Sequence, residues 1–257
     1  MHPLNRVFDK IYVVTINRNT RRHEYLKKSL IGVEYELFFG VDGKSLDLKS
    51  MDRKGESDTL KFAENVDKRM QEFFGKSHYH LPTPNVIACA LSHRLVYEDI
   101  IKLNHERALV LEDDALIKAE NLIYWPAIMM QLPADWDLLY LGYVWKHDET
   151  PFEGIKRRFI YPLLNFTHIR RYNHNLINHG FTEKYSQNLL TAGMHGTASA
   201  YGITNKCARL LTEEQSPIQN PADLAFWLPI MQKRVNAYCC NPRIFTTTGD
   251  ASTILVD

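Results

Sequence analysis

The sequence predicts an α/β fold with a mostly parallel central sheet. Two observations point there: short runs apolar on both faces recur along the chain, and stretches with helical spacing of apolar residues lie between them. A third sharpens the reading, because the clearest run, Ala108 to Leu111, stops at three consecutive acidic residues. Strands buried on both faces lose the alternation of a half-exposed sheet, since helices cover them from either side. The length of 257 residues suits a single α/β domain over residues 1–257.

Lys10 to Ile16 (KIYVVTI) is β-branched and nearly all apolar, as a first parallel strand requires. Polar Asn17 to Thr20 follows. RRHEYLKKSL then sets Tyr25, Leu26 and Leu30 on one helical face, with Asn19 or Thr20 as cap. Tyr35 to Phe39 is strand-like, ends at Gly40 and leads into an Asp42-Gly43 turn, completing a βαβ unit. Leu46 to Ser77 is charged and weakly periodic, which predicts exposed helix or loop.

Past Pro82 and Pro84, the spacing predicts a helix over Val86 to Leu103, with Leu91, Leu95, Tyr97, Ile100 and Ile101 available to a core. Asp137 to Leu141 is a further strand, ending at Gly142. Lys146 to Gln187 breaks the rhythm with Pro151, Pro162 and the basic stretch HIRRYNHNLINHG; residues 146–190 read as an acceptor or lid loop. Ala198 to Thr204 is strand-like and Asn205 to Glu213 helical. Asp223 to Gln232 reads as a helix kinked or split at Pro229.

Lys and Arg total 31 against 30 Asp and Glu, a formal charge of +1, so no broad field attracts nucleic acid. The opening MHPLNRVFDK is charged where a secretory signal is apolar, and no run approaches the roughly 20 apolar residues of a membrane span. A cytoplasmic protein without a transmembrane segment is the expectation, at most peripheral to a membrane surface. Cys89, Cys207, Cys239 and Cys240 lack C-x-x-C spacing and read as reduced, mostly buried thiols.

Ligands of open α/β sheets collect outside the carboxyl ends of strands, where Glu112, Asp113 and Asp114 fall. Adjacent carboxylates repel, and a divalent cation compensates them. In an extended chain Glu112 and Asp114 project to one side, for a metal, and Asp113 to the other, for a sugar hydroxyl. Transfer from a nucleotide-sugar would use such a site, because a hard cation such as Mg²⁺ or Mn²⁺ stabilises the departing diphosphate. An acidic strand end facing water is the alternative.

Several segments, in order, resemble glycosyltransferase family 25, the bacterial lipopolysaccharide and collagen galactosyltransferase group. IYVVTINRNTRR is similar to its first strand and loop, ALSHRLVYEDII to its "SH" helix, ALVLEDDALI to its "LEDD" strand and WDLLYLG to the strand after it. YGITNKCARLL, NPADLAF and TGDASTI resemble later elements. The stretches 44–80 and 146–194 carry no match, and Ala198 and Cys207 stand where relatives often have His and Gly.

The resemblance implies a GT-A type Rossmann-like nucleotide-sugar-binding fold, a divalent metal, usually Mn²⁺, and a UDP-sugar donor, often UDP-galactose. It also implies inversion, with a glycan or glycoprotein hydroxyl as acceptor. Carried over by position, Thr15, Asn17, Arg18 and Arg21 would meet the nucleotide, Ser92 and His93 the donor, Glu112 and Asp114 the metal, and Asp113 the donor sugar.

Inversion by single displacement needs a carboxylate to take the acceptor's proton; Asp223, in the segment matching the family's "P-V-D", is the candidate, or else a helix N-terminal residue answering the dipole. His195 is an additional metal or phosphate ligand, or an ordinary loop histidine. His168, His174 and His179 fit no zinc spacing, whereas Arg170, Arg171 and Lys184 could meet phosphate. The competing readings are a non-catalytic nucleotide-sugar-binding module and a metal-dependent phosphohydrolase or nucleotidyltransferase.

Overall fold

The computed structural model describes residues 1–74, 77–143, 159–166 and 179–248. Its main sheet runs in the order β2-β1-β3-β8-β5-β9-β7-β6. The first half comprises β1 (Lys10–Thr15), β2 (Glu36–Phe39) and β3 (Arg107–Glu112), followed in sequence by β4 (Ala115–Ile117) and β5 (Leu138–Gly142). Then come β6 (Glu183–Lys184), β7 (Leu189–Thr191), β8 (Ala200–Thr204), β9 (Ala237–Cys240) and β10 (Phe245–Thr247). β4 and β10 form a separate two-stranded antiparallel ribbon.

β2-β1-β3 is parallel, as is β5-β9. Between these blocks β8 runs antiparallel to both neighbours, and β7 and β6 extend the far edge antiparallel. The sheet is thus mixed, with its parallel part where the acidic cluster sits.

The unbroken apolar runs have the cause anticipated. Tyr12, Val110, Tyr140 and Tyr201 face one core, while Ile11, Val13, Leu109, Leu111, Leu139 and Leu141 face a second on the opposite side. Each strand therefore feeds both cores by turns, and polar residues are confined to its ends.

The helices are α1 (Thr20–Ser29), α2 (Leu48–Lys54), α3 (Thr59–Phe74) and α4 (Pro84–Lys102), then α5 (Trp125–Gln131), α6 (Tyr161–Phe166), α7 (Asn205–Glu214) and α8 (Leu224–Met231). α4 begins two residues before the sequence expectation because Thr83 caps it, its hydroxyl accepting from the Val86 amide, with Pro84 in the first turn. Its buried face carries Val96, Tyr97 and Ile100, with Leu95 only half-buried. Thr204 caps α7 in the same way, and α7 packs on α4 through Cys207, Ala208 and Leu211.

The expectation of helix over 46–77 is met but not that of exposure throughout, and of the two readings at Pro229 the split helix is overturned. The charged stretch 46–77 holds two helices, and Met51 and Phe62 from them meet Ile87, Ala90 and Ile218 in a third, smaller cluster. Few apolar residues suffice there because the cluster is small, which is why its periodicity is weak. α8 runs through Pro229 as a single element with nearly every side chain buried. Tertiary packing on both sides holds what propensity would break.

Of the long connection, residues 144–158 and 167–178 lie outside the described set, and with them His168, His174, Arg170 and Arg171. Nearly all of TGDASTI lies outside it too. Among the described residues no helix is long and apolar enough to cross a membrane.

Candidate active site

Because β1 and β3 are parallel neighbours with Val14 beside Glu112, their carboxyl ends open at the same edge. The loop leaving β1 and the acidic residues leaving β3 are therefore forced side by side. The chain turns at Asp113 and Asp114, so all three carboxylates face one cleft rather than alternating as an extended strand would. α4 forms the opposite wall through Asn85, Cys89, Ser92 and His93. The cleft is an open one, with an enclosed volume of about 100 Å³.

Asp113 is the most constrained of the three. One carboxylate oxygen accepts from Thr15 Oγ1 at 2.6 Å and Asn19 Nδ2 at 2.8 Å, and the other pairs with Arg22 Nη1 at 2.5 Å. Its side chain is 7% exposed and that of Arg22 15%, so the pair is shielded and closes the β1–α1 loop onto the end of β3. Thr15 Oγ1 also lies 2.9 Å from His23 Nε2.

Asp114 stands in contrast. Its Oδ1 is buried and accepts no hydrogen bond among the described residues. Burial, reinforced by the charge of Glu112, pushes its carboxyl up to about 6. Glu112 is partly open to solvent and has its Oε1 3.5 Å from His93 Nε2.

The second wall is set by two glycines. A Cβ on Gly40 would sit 2.4 Å from Ser92 Oγ, and one on Gly43 would sit 2.7 Å from the backbone of Asn85. Ser92 Oγ accepts from the Val41 amide at 2.9 Å and donates to the Ala88 carbonyl at 2.7 Å, tying the β2 exit to α4. Arg18 holds Asp42 through two hydrogen bonds, at 2.7 and 3.2 Å, and so lowers the Asp42 carboxyl.

Thr15, Arg18, Ser92, His93, Glu112, Asp113 and Asp114 thus line one cleft. Asn17 is exposed in the same loop but is not part of the lining, and Arg21 is exposed with its guanidinium over the Tyr25 ring. Arg22, one residue on, takes the inward position; helix phase decides between the two arginines, and the sequence carries no signal for that phase at a helix start. Cys89, one helical turn before His93, also joins the lining without being anticipated.

Asp223 caps α8, its carboxylate accepting from the Leu224 amide at 2.9 Å. Burial, with Glu112's charge added, raises its carboxyl to about 6 despite that hydrogen bond. Asp223 thus answers the helix terminus, and it lies close enough to Glu112 to feel its charge.

His195 lies outside the lining and is fully buried. Its Nε2 is 2.9 Å from Cys239 Sγ, and its ring packs 4.8 Å from Tyr140 and 4.7 Å from Tyr143. Burial lowers it to about 3, so the ring is neutral and serves the core.

The donor set suits a hard cation. Three carboxylates and two guanidiniums line the cleft, one carboxylate is spent on Arg22 and Arg18 holds Asp42 outside the lining. Asp114 Oδ1 accepts no hydrogen bond among the described residues and Glu112 faces His93 at 3.5 Å, so both offer oxygen donors, as Mg²⁺ and Mn²⁺ prefer.

A Rossmann-like α/β sheet with its cleft at the carboxyl ends of parallel strands is the architecture in which nucleotides are bound across a sheet edge. Residues 8–226 match glycosyltransferase family 25 (LPS biosynthesis protein), and the chain belongs to that family. It is 30% identical over 136 residues to a glycosyltransferase 25 family member of Anopheles gambiae, covering 51% of this chain and 21% of that relative. It is 23% identical over 155 residues to procollagen galactosyltransferase 1 of Danio rerio, covering 58% of this chain and 24% of the relative. Against procollagen galactosyltransferase 2 of Homo sapiens it is 26% identical over 147 residues, covering 55% and 22%. The chain thus matches less than a quarter of the length of these relatives.

Proposed function

We propose that the protein transfers galactose from UDP-galactose to a hydroxyl of a glycan or glycoprotein acceptor, with inversion and with Mn²⁺ or Mg²⁺ bound. The observation that carries this reading is Asp114, a carboxylate with a buried, unpartnered oxygen beside Glu112 in the cleft at the carboxyl ends of β1 and β3. A buried carboxylate oxygen with no hydrogen bond, next to a second carboxylate, is costly, and an occupant that brings positive charge relieves that cost.

Glu112 and Asp114 hold the cation in this reading. When bound, it supplies Lewis-acid stabilisation to the charge that grows on the departing diphosphate. Thr15, Arg18 and Asn19 on the β1–α1 loop bind the nucleotide in this reading, which their place in the cleft lining supports, and Asp113 keeps that loop closed against β3. Asp223, raised to about 6, is ionised at neutral pH yet basic enough to accept the acceptor hydroxyl's proton. The galactosyl assignment is supported by the likeness to the procollagen galactosyltransferases.

The test is a thermal-shift panel of nucleotide sugars with and without Mn²⁺, followed by transfer from the radiolabelled donor that binds. A shift for UDP-galactose that requires metal, followed by label in an acceptor, supports the reading. Release of free phosphate or pyrophosphate points to a phosphohydrolase or nucleotidyltransferase, and binding without turnover to a non-catalytic module.

A further inference from the structure

One corner of the cleft has a chemistry that a hard cation does not call for. α4 presents Cys89 and His93 one turn apart on one face, and Glu112 at the end of β3 faces them. One ligand atom from each of the three lies within 4.8 Å of the others. His93 Nε2 is buried without a hydrogen bond in a side chain 1% exposed. Its 3.5 Å approach to Glu112 Oε1 is too long for a good N–H···O bond.

The other ring nitrogen, Nδ1, lies 2.6 Å from the Tyr201 hydroxyl, which is itself 2.9 Å from that of Tyr97. With Nδ1–H donated to Tyr201, Nε2 carries a bare lone pair aimed between Cys89 and Glu112. Metal-ligating histidines are commonly oriented in this way, by a polar partner on the second nitrogen.

We infer that Cys89, His93 and Glu112 form a site for a borderline-soft transition metal, with Zn²⁺ as its natural occupant. A thiolate ligand favours zinc over Mn²⁺ and Mg²⁺, which prefer oxygen. Zinc bonds of about 2.3 Å to sulfur and about 2.0–2.2 Å to nitrogen and oxygen, at tetrahedral angles, put ligand atoms roughly 3.4–3.6 Å apart. The His93–Glu112 gap already has that length, and the remaining gaps close with little more than an ångström of side-chain movement. Three protein ligands leave a fourth position for water.

Binding exchanges the thiol proton for the metal: Cys89 Sγ–H loses H⁺ to solvent as the sulfur–zinc bond forms. Burial and the charge of Glu112 push the Cys89 thiol well up, so in the absence of a cation that proton is present to be released. Since Glu112 belongs to both sets, zinc here and Mn²⁺ at Glu112 and Asp114 are alternatives. That last consequence rests on the proposed function; the site itself does not.

Titration of the purified full chain with Co²⁺ tests the site without any activity readout. The expected result is a thiolate-to-cobalt charge-transfer band at about one equivalent, displaced by Zn²⁺, lost in Cys89→Ser and retained in Asp114→Asn. His93→Gln should weaken zinc at least about tenfold. No thiolate band in the wild type, an unchanged band in Cys89→Ser, or loss of the band in Asp114→Asn would each overturn the assignment. Should Cys89→Ser fail to fold, X-ray absorption of the zinc-loaded wild type decides: one sulfur in the shell is expected, and a shell of only oxygen and nitrogen refutes it.

Discussion

Asp113 and Asp114 are neighbours in sequence and opposites in circumstance. Asp113 is satisfied by Thr15, Asn19 and Arg22, so its removal takes a shielded ion pair and two hydrogen bonds from the β1–α1 loop. Asp113→Ala should lower the unfolding free energy by about 3 kcal/mol in urea denaturation. Asp114 is raised to about 6 by burial, so its charge at neutral pH works against the fold. A carboxyl raised in this way contributes stability below its unfolded value near 3.8, and that contribution is lost as pH rises through about 6. Asp114→Asn should therefore melt higher than the wild type at pH 7, by on the order of 1–3 kcal/mol, with a smaller gap at pH 5, while losing transfer. Scanning calorimetry at the two pH values checks the sign. For Asp223→Asn the expectation is turnover reduced by about 10²–10⁴ with donor and metal affinity kept, read from kcat against calorimetric binding. The acidic cluster and its strand end were legible in the sequence because three adjacent charges cannot lie inside an α/β core. The roles of its members were not, since they depend on the turn at Asp113 and on which arginine of α1 points inward.

At the scale of elements, α4 does much of the shaping. Its fit against the β2 exit depends on two positions without a Cβ, and Gly43→Ala would drive a methyl into the Asn85 backbone. Overpacking of that kind should destabilise by about 1–3 kcal/mol and weaken nucleotide binding by displacing the start of α4; denaturant melts and donor titration check both. β1, β3 and α4 were readable because each is long enough for its apolar run or helical spacing to register. Strand direction was not: a run buried on both faces looks the same either way, so β8 gave no sign of being antiparallel. The short β4, β6, β7, β9 and β10 carry too few residues for a period to register.

For the molecule as a whole, two carboxyls near 6 with roles in the proposed reaction, Asp114 and Asp223, set one pH window. Transfer should rise as pH passes through about 6 and level off above it, and a pH–rate profile at saturating Mn²⁺ should show its midpoint moved lower than at limiting Mn²⁺, because the cation favours ionised Asp114. A profile flat from pH 5 to 8 would argue that neither group titrates in the reaction.

The clasp of Asp113 on Thr15, Asn19 and Arg22 joins residues that are 91 to 98 positions apart. Closing so long a loop is entropically slow, so it cannot form until β1, α4 and β3 have found one another. The cleft is then among the last features to be completed during folding, and nucleotide binding becomes a report on a finished chain: a partly folded protein has the carboxylates but not the loop that would hold the donor. Pulse-labelled hydrogen exchange should find the amides of residues 16–19 protected after those of β1 and β3.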